Sequence, residues 1–275
     1  MCCLEKFPTM INGEPSPVLD DLRRCCIGLI LEKSSLMVLQ DTGWWKDKAF
    51  GKVDVTGTMQ SGRNSILLRT VFRNSDEVRA KMERAIRFEA GMNMLTYLNE
   101  LENIFLVGDF SVRSDSPAEV GTFQSFVQSG PFYLDRKHSS EKAELTTDGY
   151  PFFTGNVLLE QNVEIMDIHD CRSIMVSMKP QCAYSKLHVN GTFVKTFLWQ
   201  PYEAEIRSLV VEGINTIGVE LVSTDRNLFG PHHNPQGELH NLGPIQFTDA
   251  VGWSDRYSLV KFGVGSGAEI VVYRD

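Results

Sequence analysis

The sequence predicts a mostly-β protein, an antiparallel β-sandwich in two modules, residues 1–140 and 141–275. The second is an intact jelly roll and the first carries a helical insertion over 76–102. Three observations predict this. From residue 150 onward, short alternating or β-branched segments follow one another, with turn residues between them and no helical period. One supersecondary pattern is used twice: Trp45 leads, 17 residues on, to Gly62-Arg63-Asn64-Ser65-Ile66, and Trp199 leads, 14 residues on, to Gly213-Ile214-Asn215-Thr216-Ile217. Residues 76–102 alone switch from the two-residue period of strands to the 3.6-residue period of a helix.

Taken in order, the first module reads as strands over 27–31, 36–40, 49–55 and 65–72. Lys52-Val53-Asp54-Val55 alternates as a strand with one face in water, and in Trp44-Trp45 a strand sends one ring inward and the other outward. Asp76 then stands as an N-cap. Apolar residues recur at Val78, Met82, Ala85, Ile86, Met92, Leu95 and Leu98, a stripe expected to pack on a sheet and to be interrupted near Gly91. A strand follows over 104–107. Residues 113–125, rich in Ser, Asp, Pro and Gly, read as a loop, and the polar stretch 136–149 as the module boundary. In the second module strands are expected at 156–164, 173–178, 186–189, 193–198, 204–206, 216–222, 258–264 and 269–273. Asn190-Gly191 between two of them is a type I′ hairpin signal. A long loop over 224–254 breaks the spacing, and loops of that length in a compact domain are usually functional or disordered.

The totals narrow the function classes. The chain has 275 residues, is 42% hydrophobic and 23% charged, and carries a formal net charge of -8, which suits a globular protein and opposes phosphate-backbone binding. No nucleic-acid partner is expected. No run of 18 apolar residues marks a membrane span, and the N-terminus lacks the basic and apolar regions of a secretory signal, so a cytoplasmic location is expected and no membrane partner. Cys2, Cys3, Cys25, Cys26, Cys171 and Cys182 match neither a redox nor a zinc-knuckle spacing and read as reduced thiols.

Several segments resemble a known family. They are Gly43-Trp44-Trp45-Lys46-Asp47, Leu106-Val107-Gly108-Asp109-Phe110, Tyr150-Pro151-Phe152-Phe153-Thr154-Gly155, Val189-Asn190-Gly191, Leu198-Trp199-Gln200-Pro201-Tyr202, Gly213-Ile214-Asn215-Thr216-Ile217 and Arg226-Asn227-Leu228-Phe229-Gly230-Pro231-His232-His233. In this order they resemble the C-terminal region of large bacterial glycoside-hydrolase-like proteins. Those proteins carry galactose-binding-like jelly rolls, as in glycoside hydrolase family 2 and α-L-rhamnosidase-like chains. The resemblance implies an ancillary part of a larger enzyme, with a carbohydrate or a catalytic glycosidase domain as its partner.

No residue pair here carries a catalytic signature. Asp109, Asp225, Glu238 and Asp255 are the carboxyls nearest loops, but none stands in a motif that marks a glycosidase acid, and no Gly-x-Ser-x-Gly elbow, P-loop or His-Glu-x-x-His occurs. The chemically loaded segment is 225–240. Its Asp225, Arg226, Asn227, His232 and His233, together with Trp199 and Trp253, are the expected sugar-contacting set; Asn234, Glu238 and His240 complete the loop. Adjacent histidines between Pro231 and Pro235 tend to point apart, so no metal ligation is assigned. Calcium is the one ion whose preference for oxygen the loop could meet, and no cofactor is expected. The expected function is a non-catalytic carbohydrate-binding or structural region of a glycoside-hydrolase-like protein. The alternatives are an active glycosidase whose site another domain completes, and a protein-docking module that binds no sugar.

Overall fold

The computed structural model describes residues 2–8, 28–29, 37–38, 41–66, 75–88, 103–122, 124–140, 142–234 and 252–274. The chain forms two compact units, one of Met1–Glu5 with Phe105–Asp275, the other of Lys6–Ile104. The first strands are β1 (Cys2–Pro8), β2 (Gly28–Leu29), β3 (Met37–Val38), β4 (Asp41–Trp45) and β5 (Asp47–Val53). After a helix, Asp76–Arg87, come β6 (Asn103–Gly108), β7 (Phe110–Ser114), β8 (Glu119–Val120), β9 (Ser125–Ser129) and β10 (Phe132–Arg136). Then follow β11 (Asn156–Ile165), β12 (Cys171–Met178), β13 (Tyr184–Val189) and β14 (Thr192–Phe197). The last are β15 (Glu203–Glu205), β16 (Gly213–Val222), β17 (Arg256–Val260) and β18 (Ala268–Arg274).

Two antiparallel sheets, in the orders β11-β16-β13-β14 and β15-β12-β18, hold the core of the larger unit. Alternation explains why they stack. On β16 Ile217, Val219 and Leu221 share the inward face, and on β12 Ile174, Val176 and Met178 do, so the two apolar faces join Leu187, Val189 and Phe197 in one buried cluster. Each such side chain withdrawn from water contributes about 1.5–3 kcal/mol. The result is an antiparallel β-sandwich, and each of the segments expected after residue 150 carries a strand. Asn190 and Gly191 both take positive φ (51° and 76°), as a type I′ hairpin requires between Val189 and Thr192.

Residues 105–140 belong to this same unit. β9 lies between β17 and β8, and β10 pairs with β7; β9 and β10 are strands that the loop-like composition around them conceals. The polar stretch expected as a boundary is a strap bound to the sandwich. Leu145 N–H donates to Phe262 O (2.8 Å), Val264 N–H to Ala143 O (2.7 Å), and Thr146 Oγ1 to Val260 O (3.1 Å). Glu144 Oε1 accepts from the N–H groups of Thr146 and Phe262, both at 3.1 Å. Polar side chains that look solvated in the sequence here satisfy buried backbone.

In the smaller unit, β4 and β5 form an antiparallel pair, as do β2 and β3. Residues 65–66 are irregular rather than strand, and 67–72 lie outside the described residues. The helix is capped by Ser75, whose Oγ accepts from Val78 N–H (3.3 Å), one residue before the expected cap, with Asp76 in the first turn. Of the expected stripe, Val78 and Ala85 are buried while Ile86 is 79% exposed; Met92, Leu95 and Leu98 lie outside the described residues.

The repeated pattern survives at atomic detail. Gly62 and Gly213 share a positive φ (96° and 97°). In the first copy Gln60 N–H donates to Asn64 Oδ1 (2.9 Å), and Asn64 Nδ2 donates to Gln60 O (2.8 Å) and Gly62 O (3.0 Å). In the second, Val211 N–H donates to Asn215 Oδ1 (2.8 Å), and Asn215 Nδ2 donates to Val211 O (2.7 Å) and Gly213 O (3.0 Å). Cys171 and Cys182 are free thiols, and burial pushes the Cys182 thiol up to about 11. Among the described residues no helix is long and apolar enough to cross a membrane.

Candidate functional site

The site grows from the end of β16. Gly155 and Ser223 exchange two hydrogen bonds: Ser223 N–H donates to Gly155 O (3.0 Å), and Gly155 N–H to the Ser223 hydroxyl Oγ (2.8 Å). The chain then turns through one helical turn, Arg226–Phe229, whose last two N–H groups donate to Asp225 O (Leu228 at 3.1 Å, Phe229 at 2.9 Å). The Asp225 carboxylate accepts from the Thr154 hydroxyl. Gly230 ends the turn at φ 87°, where an added Cβ would lie 2.9 Å from both His232 N and Nδ1. Glycine is therefore required at that point.

Asn227 ties this turn to β17 like a missing strand residue. Its Nδ2 donates to Val260 O and its Oδ1 accepts from Val260 N–H, both at 2.8 Å. His232 is buried, with Nε2 2.8 Å from Asn227 O; a carbonyl only accepts, so this nitrogen carries the proton. By the same reasoning Nδ1 of His233 carries the proton that it shares with Ser254 O (2.8 Å). The two imidazoles thus serve different backbone partners.

Aromatic rings run outward from the core through this loop. Buried Phe132 and Phe152 meet Tyr257 edge to face, with centroids 4.9 and 5.8 Å apart. Tyr257 reaches His233 at 4.7 Å, and His233 stacks on Trp253 at 4.0 Å and 20°. Trp253 is 53% exposed, and its indole N–H faces Asp255 Oδ1 at 3.3 Å. The run presents one indole at the surface on a backing that extends into the core.

Of the expected set, Asp225, Arg226, Asn227, His232, His233 and Trp253 lie along this connected region. Asn227 and His232 are buried in backbone contacts, and the Arg226 Nη atoms are shielded from solvent. Trp199 sits apart on the β14–β15 connection, 73% exposed and without a ring contact to another described aromatic. Glu238 and His240 lie outside the described residues. Tyr257, which joins the loop to the core, escaped the sequence reading because the strand expected there begins at residue 258, whereas the observed strand begins at Arg256. Among the described residues no three His, Cys, Asp or Glu side chains converge to hold a metal ion. Of the carboxyls near loops, Asp109 pairs with Lys137 Nζ (2.7 Å), while Asp225 and Asp255 hold Thr154 and Trp253.

No family model matches the chain, and no curated protein matches it. Among the solved structures that match in part are a glucuronidase, a rhamnosidase and a mannosidase. A β-D-glucuronidase from Dictyoglomus thermophilum is 21% identical over 50% of this chain and 22% of its own, with a TM-score of 0.26. A rhamnosidase from Novosphingobium sp. PP1Y is 15% identical over 48% of this chain and 15% of its own, with a TM-score of 0.26. A β-D-mannosidase from Dictyoglomus thermophilum is 15% identical over 62% of this chain and 22% of its own, with a TM-score of 0.32. The chain thus spans less than a quarter of the length of each, and scores this low establish neither a shared fold nor a shared activity.

Proposed function

We propose that this chain is a non-catalytic, carbohydrate-binding β-sandwich region of a glycoside-hydrolase-like protein, and that it holds sugar against Trp253. The observation that carries the reading is the presentation of that indole: half exposed, yet stacked on His233, which Ser254 O orients in turn. A pyranose offers a face of C–H groups that stacks on such a ring. A ring already held in place loses little conformational freedom on binding. The exposed Asp255 carboxylate beside the indole is an acceptor for sugar hydroxyls. Asp225, Asn227 and His232 support the loop by holding its backbone. A catalytic glycosidase domain elsewhere in a longer chain is the natural companion of such a region.

A glycan array tests this. The folded chain retains a subset of glycans, and Trp253→Ala lowers that retention by about tenfold, equivalent to about 1.4 kcal/mol, with unchanged melting. An array blank for every glycan, with the protein folded, sinks the reading. Hydrolysis of aryl glycosides that Asp225→Asn abolishes would overturn its non-catalytic half.

A further inference from the structure

The free edge of β18 points to a second site, independent of any sugar. β18 pairs with β12 on one side only, and among the described residues nothing hydrogen-bonds its other edge. Natural edge strands are usually short, charged, bulged or interrupted by proline, because an open ladder recruits another strand. The other edges of the sandwich follow that rule. β15 spans three residues, two of them Glu203 and Glu205, β14 carries Lys195, and β11 exposes Glu160 and Glu164. β18 follows it only toward its ends, where Glu269 and Arg274 carry charge and the register with β12 shifts between Cys171 and Ser173. It is seven residues long, has neither proline nor lysine, and leaves Val271, Val272 and Tyr273 exposed by 37%, 39% and 52%.

The pairing with β12 sorts these side chains by face. Ile270 and Val272 lie opposite the buried Val176 and Ile174, on the core face. Glu269, Val271 and Tyr273 lie opposite Ser177, Met175 and Ser173, on the outer face. An antiparallel pair of identical strands related by a two-fold axis perpendicular to the sheet keeps each face on its own side. Centred on Val271, that arrangement sets Val271 against its own copy and Ile270 against Val272. It sets Glu269 against Tyr273, whose hydroxyl can donate to the carboxylate, and Ala268 against Arg274. No like charges stand opposite one another, the condition that favours cross-strand pairs.

We propose that β18 is a homodimerisation edge, at which two copies of this chain join their three-stranded sheets into one continuous sheet through antiparallel β18–β18 pairing about Val271. Sedimentation velocity on the full chain, from micromolar to hundreds of micromolar, is expected to show a species of twice 31.0 kDa. Val271→Lys places two ammonium groups on the axis and returns the protein to monomer, with unchanged circular dichroism because the position faces outward. Val271→Thr, also β-branched, retains the dimer. Mild oxidation cross-links Val271→Cys, and neither the wild-type chain nor Glu269→Cys responds in the same way. A monomer at every concentration overturns the proposal. So does open-ended aggregation without a discrete dimer, or a dimer that Val271→Lys leaves intact.

Discussion

Asn215 is a polar side chain with no exposed surface, and it closes a turn by serving Val211 on both backbone groups and Gly213 on its carbonyl. Asn190 Nδ2 adds a further bond to its Oδ1 (2.9 Å), linking the β13–β14 hairpin to the start of β16. Asn64 makes the same three turn bonds, but at a site the solvent reaches. The two asparagines therefore share geometry and differ in burial. A buried donor or acceptor left without a partner costs about 1–3 kcal/mol, whereas water replaces a lost partner at an exposed site. Asn215→Ala is expected to destabilise the larger unit by about 3 kcal/mol, and Asn64→Ala its own unit by about 1 kcal/mol or less. Urea unfolding monitored in each unit checks this; equal losses at the two positions would show that the turn, rather than its burial, sets the energy.

At the scale of elements, the strap at 142–148 and the segment after β17 act as one piece. Gly263 lies where Glu144 and Gln181 both bridge to it, with Gln181 N–H donating to Gly263 O (2.8 Å). A Cβ at Gly263 would fall 2.0 Å from Ala143 O, at a φ of 156°. The backbone must move to admit any side chain. Gly263→Ala is expected to lower stability by about 2–3 kcal/mol, the range for forced overpacking, read as a shifted denaturant midpoint. A neutral result would mean that the strap yields freely. The sequence expectation for this stretch, a strand over 258–264, ends in the structure at Val260 because Lys261 onward pairs with the strap and with Gln124 O. Period alone marks the apolar alternation. It does not mark which partner each backbone group finds.

For the whole molecule, the stretch of the larger compact unit that runs from Phe105 makes a fragment prediction. Residues 105–275 expressed alone are expected to unfold in one cooperative transition. Residues 141–275 lose β9, which pairs along the whole of β17 from Arg256↔Ser129 to Val260↔Ser125, and so expose the fully buried Leu259 and Ser258. That shorter fragment is expected to be less stable by at least about 3 kcal/mol, on the scale of uncovering core side chains, read as a lower denaturant midpoint. Equal stability of the two fragments would support a boundary at 140/141.

What the sequence by itself determined is local: strand positions after residue 150, the Asn190-Gly191 hairpin, the helix over its described span, and the paired Gly-x-Asn turns. Each rests on interactions within a few residues or on the two-residue alternation of a strand, which the order of amino acids records directly. Tertiary structure alone decided where polar side chains were spent. Asn227 and His232 sit in a segment whose composition suggests a ligand, yet the fold places Val260, 33 residues away, against Asn227. It also set His233 under Trp253 and left β18 with an open edge. Contacts between residues far apart in the chain depend on which strands pair, and no local pattern carries that choice.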